Sequence, residues 1–148
     1  MQARDIMTAD VVTVKPQTAV SDIARLLAEK RISGAPVVDD EGRLKGIVTE
    51  ADLVARAARP HFPRYIPFLE GVIFLENPRH YEEQVEKILA TTAEEIMTPD
   101  VVTIAPDAGV EEIATLMAER SINRVVVTED ERVVGIVTRA DVIRTLSG

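Results

Sequence analysis

Two threonine–aspartate pairs carry the chemistry this sequence can offer. Thr49 and Asp52 stand three positions apart, as do Thr138 and Asp141, and each pair follows a Gly-Ile-Val run. Where a strand ends and a helix begins, such a pair has two uses. In a capping box the threonine takes the N-cap and the carboxylate reaches back to the cap amide. In a ligand site, the free amides and positive dipole of the helix start attract a phosphate and the threonine adds a hydroxyl. The carboxylate one turn on can then accept both vicinal hydroxyls of a ribose. Gly46 and Gly135, just upstream, would let a flat ring or a facing backbone come close. The residue types alone admit both uses.

The setting of the pairs is a duplication. Gly46-Ile47-Val48-Thr49-Glu50-Ala51-Asp52 returns as Gly135-Ile136-Val137-Thr138-Arg139-Ala140-Asp141. Ile6-Met7-Thr8 and Asp10-Val11-Val12-Thr13 return as Ile96-Met97-Thr98 and Asp100-Val101-Val102-Thr103. The register holds through Pro16 and Pro106, Ile32 and Ile122, and Val37 and Val127, then tightens by one residue because Gly42 has no counterpart. One structural unit has been used twice.

The elements that must hold the pairs follow from hydrophobic spacing. Val11 to Val14 is a short β-branched run ended by Pro16, which predicts a brief strand. Thr18 is the expected N-cap of a helix whose Val20, Ile23, Ala24, Leu26 and Leu27 share one face. Gly34 suits a chain reversal, and Ala35 to Val38 reads as a buried strand with Pro36 at its start. Asp39 to Gly42 predicts a turn with positive φ at Gly42, Leu44 to Val48 the returning arm of a hairpin, and Thr49 the start of a second helix. The second copy, from Ala93, predicts the same order. Between the copies, residues 57–92 hold four of the eight prolines, all five aromatics and both histidines, His61 and His80. A proline-broken loop, a short apolar segment near Phe68 to Leu75 and a connecting helix through Tyr81, Val85, Ile88 and Leu89 are expected there.

Composition narrows the function classes. The 148 residues suffice for one compact body without staples. There is no cysteine, so disulfides and thiolate metal sites are excluded, and the cytoplasm is the default location. No apolar run approaches the roughly 20 residues of a membrane span, and the N-terminus lacks the pattern of a signal peptide, so no membrane partner is expected. A formal net charge of −8 disfavours nucleic acid, which needs a basic stripe. The two histidines have no metal-ligand spacing and no partner nucleophile, so the chain is not expected to be an enzyme.

The duplicated stretches resemble the CBS domain, named after cystathionine β-synthase, in its tandem or Bateman form. The resemblance rests on Asp5-Ile6-Met7-Thr8 and Glu95-Ile96-Met97-Thr98, on Ile32-Ser33-Gly34-Ala35-Pro36-Val37-Val38, and on the two Gly-x-x-Thr-x-x-Asp endings. It implies an α/β (α+β) fold of two pseudo-twofold-related βαββα motifs, residues 1–56 and 93–148, packed sheet to sheet, with 57–92 as insert and linker. It also implies two related clefts that bind adenosine compounds such as AMP, ADP, ATP or S-adenosylmethionine. In one cleft Asp141 would take the ribose and Thr138 the phosphate or ribose, walled by Met7, Asp10, Val12, Ile32 and Ser33 with Pro36, Ile136 and Arg124. Its mate would use Asp52 and Thr49, walled by Met97, Asp100, Val102, Ile122 and Asn123 with Ile47.

The copies depart from each other in ways that bear on the clefts. Arg124 stands where the first copy has Gly34, and Val126 where it has Pro36, so the second copy lacks the family's Pro-Val. Arg139 follows Thr138, whereas Glu50 follows Thr49. If each faces its own phosphate, the Asp141 cleft gains attraction and the Asp52 cleft repulsion, making the Asp141 cleft the tighter. Arg124 favours a phosphorylated ligand over a sulfonium cation. The resemblance implies a free-standing sensor with no required cofactor, which binds an adenine nucleotide as regulatory ligand and acts on an unidentified protein in trans. The alternatives are a ligand-free interaction module, or a sensor of S-adenosylmethionine or a dinucleotide. A homodimer is expected through the apolar faces of Val54, Ala57 and Ala58 and of Val142, Ile143 and Leu146.

Overall fold

The computed structural model describes residues 1–58, 65–68, 71–74 and 91–147. The first copy contains α1 (Ala3–Ile6), α2 (Val20–Lys30), β1 (Gly34–Val38), β2 (Leu44–Thr49) and α3 (Glu50–Ala58). A hairpin of β3 (Tyr65–Phe68) and β4 (Gly71–Phe74) follows. The second copy contains α4 (Ala93–Ile96), β5 (Thr103–Ile104), α5 (Val110–Arg120), β6 (Arg124–Glu129), β7 (Arg132–Thr138) and α6 (Arg139–Leu146). The apolar segment expected near Phe68 to Leu75 is the β3–β4 hairpin, paired Tyr65 with Phe74. The proline-broken loop, both histidines and the connecting helix lie outside the described residues.

In both copies the long helix buries a stripe at helical spacing: Val20, Ile23 and Leu27 in α2, Ile113 and Met117 in α5. Each helix ends on a left-handed residue, Arg31 at φ 54° and Ser121 at φ 53°. The next amide bonds back five residues, Ile32 N to Leu27 O at 3.1 Å and Ile122 N to Met117 O at 3.1 Å. This Schellman closure turns the chain, so the reversal expected at Gly34 is made three residues earlier. Thr18 does not cap α2. Ala19 is the N-cap, and the Thr18 hydroxyl accepts from Lys15 N at 2.9 Å instead.

Beside the β3–β4 hairpin, each copy builds one small sheet. β1 pairs antiparallel with β2, and β6 with β7. The strand expected at Val11 to Val14 is reduced to a single parallel bridge between Val14 and Val37, whereas in the second copy β5 runs parallel to β6. Proline explains the difference. Val126 N donates to Val102 O at 3.2 Å. Pro36 holds the equivalent place in the middle of β1, not at its start, and has no amide proton to give Val12. The two hairpins meet at their turns, where Leu44 N donates to Glu131 O at 2.9 Å and Val133 N to Gly42 O at 3.1 Å.

The opening turn of each copy docks on the other copy. Ala3 N donates to Ala108 O at 2.7 Å and Arg4 N to Pro106 O at 2.9 Å. In return Ala93 N donates to Thr18 O at 2.8 Å and Glu94 N to Pro16 O at 2.9 Å. Fully buried Ala3 therefore belongs to the core of Ile104, Ile113, Met117, Val125, Val127 and Val137. Ala93 belongs to that of Val14, Ile23, Leu27, Val37 and Val48. Each core is completed by the other copy's first turn, so neither half closes its core alone.

Candidate functional site

The crossing of the opening turns builds the clefts. Thr8 pairs with Ile136 in both directions, at 2.9 and 3.0 Å, and Thr98 does the same with Ile47, at 2.9 and 3.0 Å. Each exchange pins the loop after an opening turn to the edge of the other copy's last strand. A cavity of about 490 Å³ opens on one side of the seam, lined by Thr8, Asp10, Val12, Ile32 and Ser33 of the first copy and Arg124, Ile136 and Thr138 of the second. The other side holds a cavity of about 470 Å³, lined by Thr98, Asp100, Val102, Ile122 and Asn123 of the second copy and Ile47 and Thr49 of the first. Both fall within the roughly 300–1,000 Å³ of small-molecule sites.

Local structure delivers these side chains. Ile136 and Thr138, and likewise Ile47 and Thr49, lie two apart on a strand and so share a face. The helix closures at Arg31 and Ser121 turn Ile32 and Ile122 into the cavities. Each cavity thus has an aliphatic wall, Val12, Ile32 and Ile136 or Val102, Ile122 and Ile47, facing a threonine at the start of a helix.

Both threonine–aspartate pairs form capping boxes. Asp141 Oδ2 accepts from Thr138 N at 2.8 Å and Oγ1 at 3.0 Å, and Asp52 Oδ2 from Thr49 N at 2.8 Å and Oγ1 at 3.1 Å. Neither aspartate lines a cavity. Asp141 is 5% exposed, and its other oxygen accepts from Arg144 Nη2. The outer oxygen of Asp52 accepts from Thr98 Oγ1 at 3.1 Å. The threonines face the cavities and the carboxylates stand behind them.

Three other expected wall residues lie elsewhere. Pro36 is fully buried in β1. Met7 packs on Gly135, where an added Cβ would overlap the thioether and come within 2.8 Å of Met7 Cγ. Met97 packs on Gly46, where a Cβ would lie 2.6 Å from its Sδ and 2.9 Å from Thr98 O. The close approach that Gly46 and Gly135 permit is therefore to a methionine of the opposite copy, an apolar gap-filler.

The charges are arranged differently from expectation. Arg139 borders the cavity of Thr49, not that of Thr138, and Glu50 borders both. The electrostatic ground for a tighter Asp141 cleft is thereby removed, because Arg139 lies on the far side of the seam and Glu50 is shared by both cavities. Arg124 also borders both cavities. Its Nη2 donates to Ser33 Oγ at 2.9 Å and its Nε to Asn123 Oδ1 at 3.1 Å. A Cβ at Gly34 would overlap its guanidinium, with Cζ at 3.3 Å. Burial lowers the Arg124 pKa below its ordinary value, while Glu50 and Asp52 pull it back up. Sequence reasoning missed Thr8, Thr98 and Arg31 as lining residues. The repeated Met-Thr was the available signal for the first two.

Among the described residues no cluster of potential metal ligands occurs, and no helix is long and apolar enough to cross a membrane. The arrangement is that of a paired binding module, and the chain belongs to the CBS domain family, whose model matches residues 3–59 and 93–148. An uncharacterized protein of Methanocaldococcus jannaschii is 30% identical over 154 residues, covering 99% of this chain and 91% of that protein. The chloroplastic CBS domain-containing protein CBSX2 of Arabidopsis thaliana is 30% identical over 136 residues, covering 88% of this chain and 56% of that protein. The crystal structure of CBSX2 in complex with AMP superposes with a TM-score of 0.76 and 28% identity, over 99% of this chain and 96% of that one. The CBS domain pair of protein MJ0100, solved with 5′-methylthioadenosine and S-adenosyl-L-methionine, gives 0.76 and 28% over 100% and 97%.

Proposed function

We propose that this chain is a regulatory module that binds an adenosine-containing ligand, an adenine nucleotide in the first instance, between its two copies and signals to a protein partner in trans. The observation that carries this is the pair of cavities, each walled by both copies and each combining an aliphatic slot with the threonine of a helix start. A purine fits the slot of Val12, Ile32 and Ile136, and the Thr138 hydroxyl at the positive end of α6 suits a phosphate or ribose oxygen. The likeness to CBSX2 with AMP and to the pair solved with S-adenosyl-L-methionine supports an adenosine ligand. The half-buried guanidinium of Arg124 favours the phosphorylated choice. Asp141, beside Arg144, and Asp52, beside Thr98, stand behind the threonines and keep spare acceptor lone pairs for a ribose hydroxyl.

Because a ligand touches both copies, it favours one relative arrangement of them, which is the means of signalling. The partner surface, and a homodimer, are assigned to the outer helix faces, where Val54, Ile143 and Leu146 are 68%, 55% and 82% exposed. Val142 does not join that face, since it packs against the second core. The test is thermal unfolding with AMP, S-adenosylmethionine and 5′-methylthioadenosine. AMP at about 100 times its dissociation constant should stabilise the protein by roughly 2.7 kcal/mol, several degrees in Tm. No shift with any of the three at millimolar concentration would leave the cavities without this role.

A further inference from the structure

We propose that Arg124 is one cationic binding group shared by both clefts, so that two phosphorylated ligands compete for it and the second binds more weakly than the first. The proposal rests on the adenosine-ligand reading above and adds to it the regulation of the two clefts by each other. Three observations converge on it. Arg124 borders both cavities, whereas Arg31 and Arg139 are exposed and each borders only one of the two. The equivalent residue of the first copy is Gly34, and the space a side chain would take there is filled by the Arg124 guanidinium. The seam therefore has room for one long side chain where the duplication could have supplied two. Finally, Arg124 is held by hydrogen bonds to Ser33, which borders both cavities, and to Asn123, which borders the second.

The charges set the sign of the coupling. A phosphate monoester carries between one and two negative charges near neutral pH, and one guanidinium offsets a single charge. A first AMP that draws Arg124 toward its own cleft withdraws donors from the other and leaves the exposed Glu50 carboxylate, which faces both, uncompensated. The second AMP then meets a cleft that has lost its common cation. An uncharged nucleoside makes no such demand, so adenosine should fill both clefts independently. By linkage the penalty is the same whichever cleft fills first.

Intrinsic inequality of the clefts would also give two affinities, and single-cleft variants separate the two causes. Val11→Trp blocks the first cavity and Val101→Trp the second; both valines line a cavity, and neither packs in a core cluster. Isothermal titration of the wild-type chain with AMP should show two events at least tenfold apart. Each tryptophan variant should bind one AMP within about threefold of the tighter event. In Arg124→Ala the two AMP constants should converge and the first weaken roughly tenfold, while adenosine, which has no phosphate to lose a partner, should weaken less than AMP and equally in both clefts. Two equal AMP sites in the wild type, a single-cleft variant that keeps the weak constant, or a gap that survives Arg124→Ala would each overturn the sharing. If a tryptophan variant fails to fold by circular dichroism, the AMP and adenosine titrations of Arg124→Ala decide alone. Absence of any binding by either compound would overturn the ligand reading itself, and is distinguishable from two equal sites.

Discussion

The two copies share an ancestor pattern yet solve the same positions differently, and the differences cluster at the seam. The first copy has Gly34 and Pro36 where the second has Arg124 and Val126. Pro36 withholds one amide and leaves the Val14 edge as a bridge; Val126 supplies it and β5 forms. Gly34 vacates the space that Arg124 fills. Where equivalent positions of the two halves meet at the seam, as Gly34 and Arg124 do, they share one volume. Where that volume admits only one side chain, the copies must diverge.

The glycines under the methionines offer the largest test of this asymmetry. A methyl at Gly46 would come within 2.9 Å of the Thr98 carbonyl, a backbone atom held in reciprocal hydrogen bonds with Ile47. A methyl at Gly135 meets first the Met7 side chain, whose Sδ and Cγ can move with the rotamer, leaving a milder 3.1 Å contact with Met7 Cβ. Gly46→Ala should therefore cost about 3 kcal/mol and Gly135→Ala about 1 kcal/mol in urea denaturation. Removing the methionine should rescue the second but not the first. Equal losses, or rescue of Gly46→Ala by Met97→Ala, would show that the backbone at Thr98 yields as readily as a side chain.

The capping boxes give the next contrast. Asp141 is buried and engaged by Thr138 and Arg144, whereas Asp52 is half-buried and its outer oxygen accepts, among the described residues, from the Thr98 hydroxyl. Asp141→Ala should destabilise by about 2 kcal/mol and Asp52→Ala by about 1 kcal/mol. Equal values in thermal or chemical unfolding would mean that the two helix starts are energetically alike. Variants that remain folded can then be titrated with AMP, where a loss of roughly tenfold or more at one event would assign that aspartate a part in binding beyond its cap.

What was legible in the sequence is what local pattern controls. The helix stripe of Val20, Ile23 and Leu27, the hairpin around Gly42 and the helix starts at Thr49 and Thr138 each follow from spacing and turn chemistry within a few residues. The exchange of opening turns was not legible, because Ala3 and Ala93 carry no signature of partners as distant in the chain as Ala108 and Thr18. They are small simply because each sits in a finished core. The same long-range packing hid the methionines: Gly46 and Gly135 read as openings for a ligand, and only tertiary structure shows which atoms occupy them. Arg139 was misplaced because it lies across the seam from Thr138, and Glu50 because it borders both cavities, placements that sequence adjacency to Thr138 or Thr49 does not reveal.

The smallest contrast lies in the two hairpin turns. In the first, Gly42 takes φ 81° without strain and Asp39 ties the loop, accepting from Glu41 N at 3.0 Å, Arg43 N at 2.9 Å and Arg43 Nε at 3.0 Å. Partial desolvation pushes the Asp39 carboxyl up, but the Arg43 and Glu41 amides and the Arg43 guanidinium together outweigh it and hold its pKa below the ordinary 3.8. Its contribution is therefore fully present above about pH 4, is lost as the pH falls through the lower folded value, and should vanish from the acid limb in Asp39→Asn. The second turn places both Asp130 and Glu131 in the left-handed region, at φ 54° and 67°, as a tight two-residue hairpin turn demands. Neither is glycine, so the backbone is strained there. Glu131→Gly should stabilise the protein by roughly 0.5–1 kcal/mol, whereas Gly42→Ala should destabilise it by a similar amount despite open space around that position. If Glu131→Gly is neutral or destabilising, the 2.9 Å bond from Leu44 N to Glu131 O already holds the second turn in place, and the junction of the two hairpins, not the turn's own backbone preference, sets its shape.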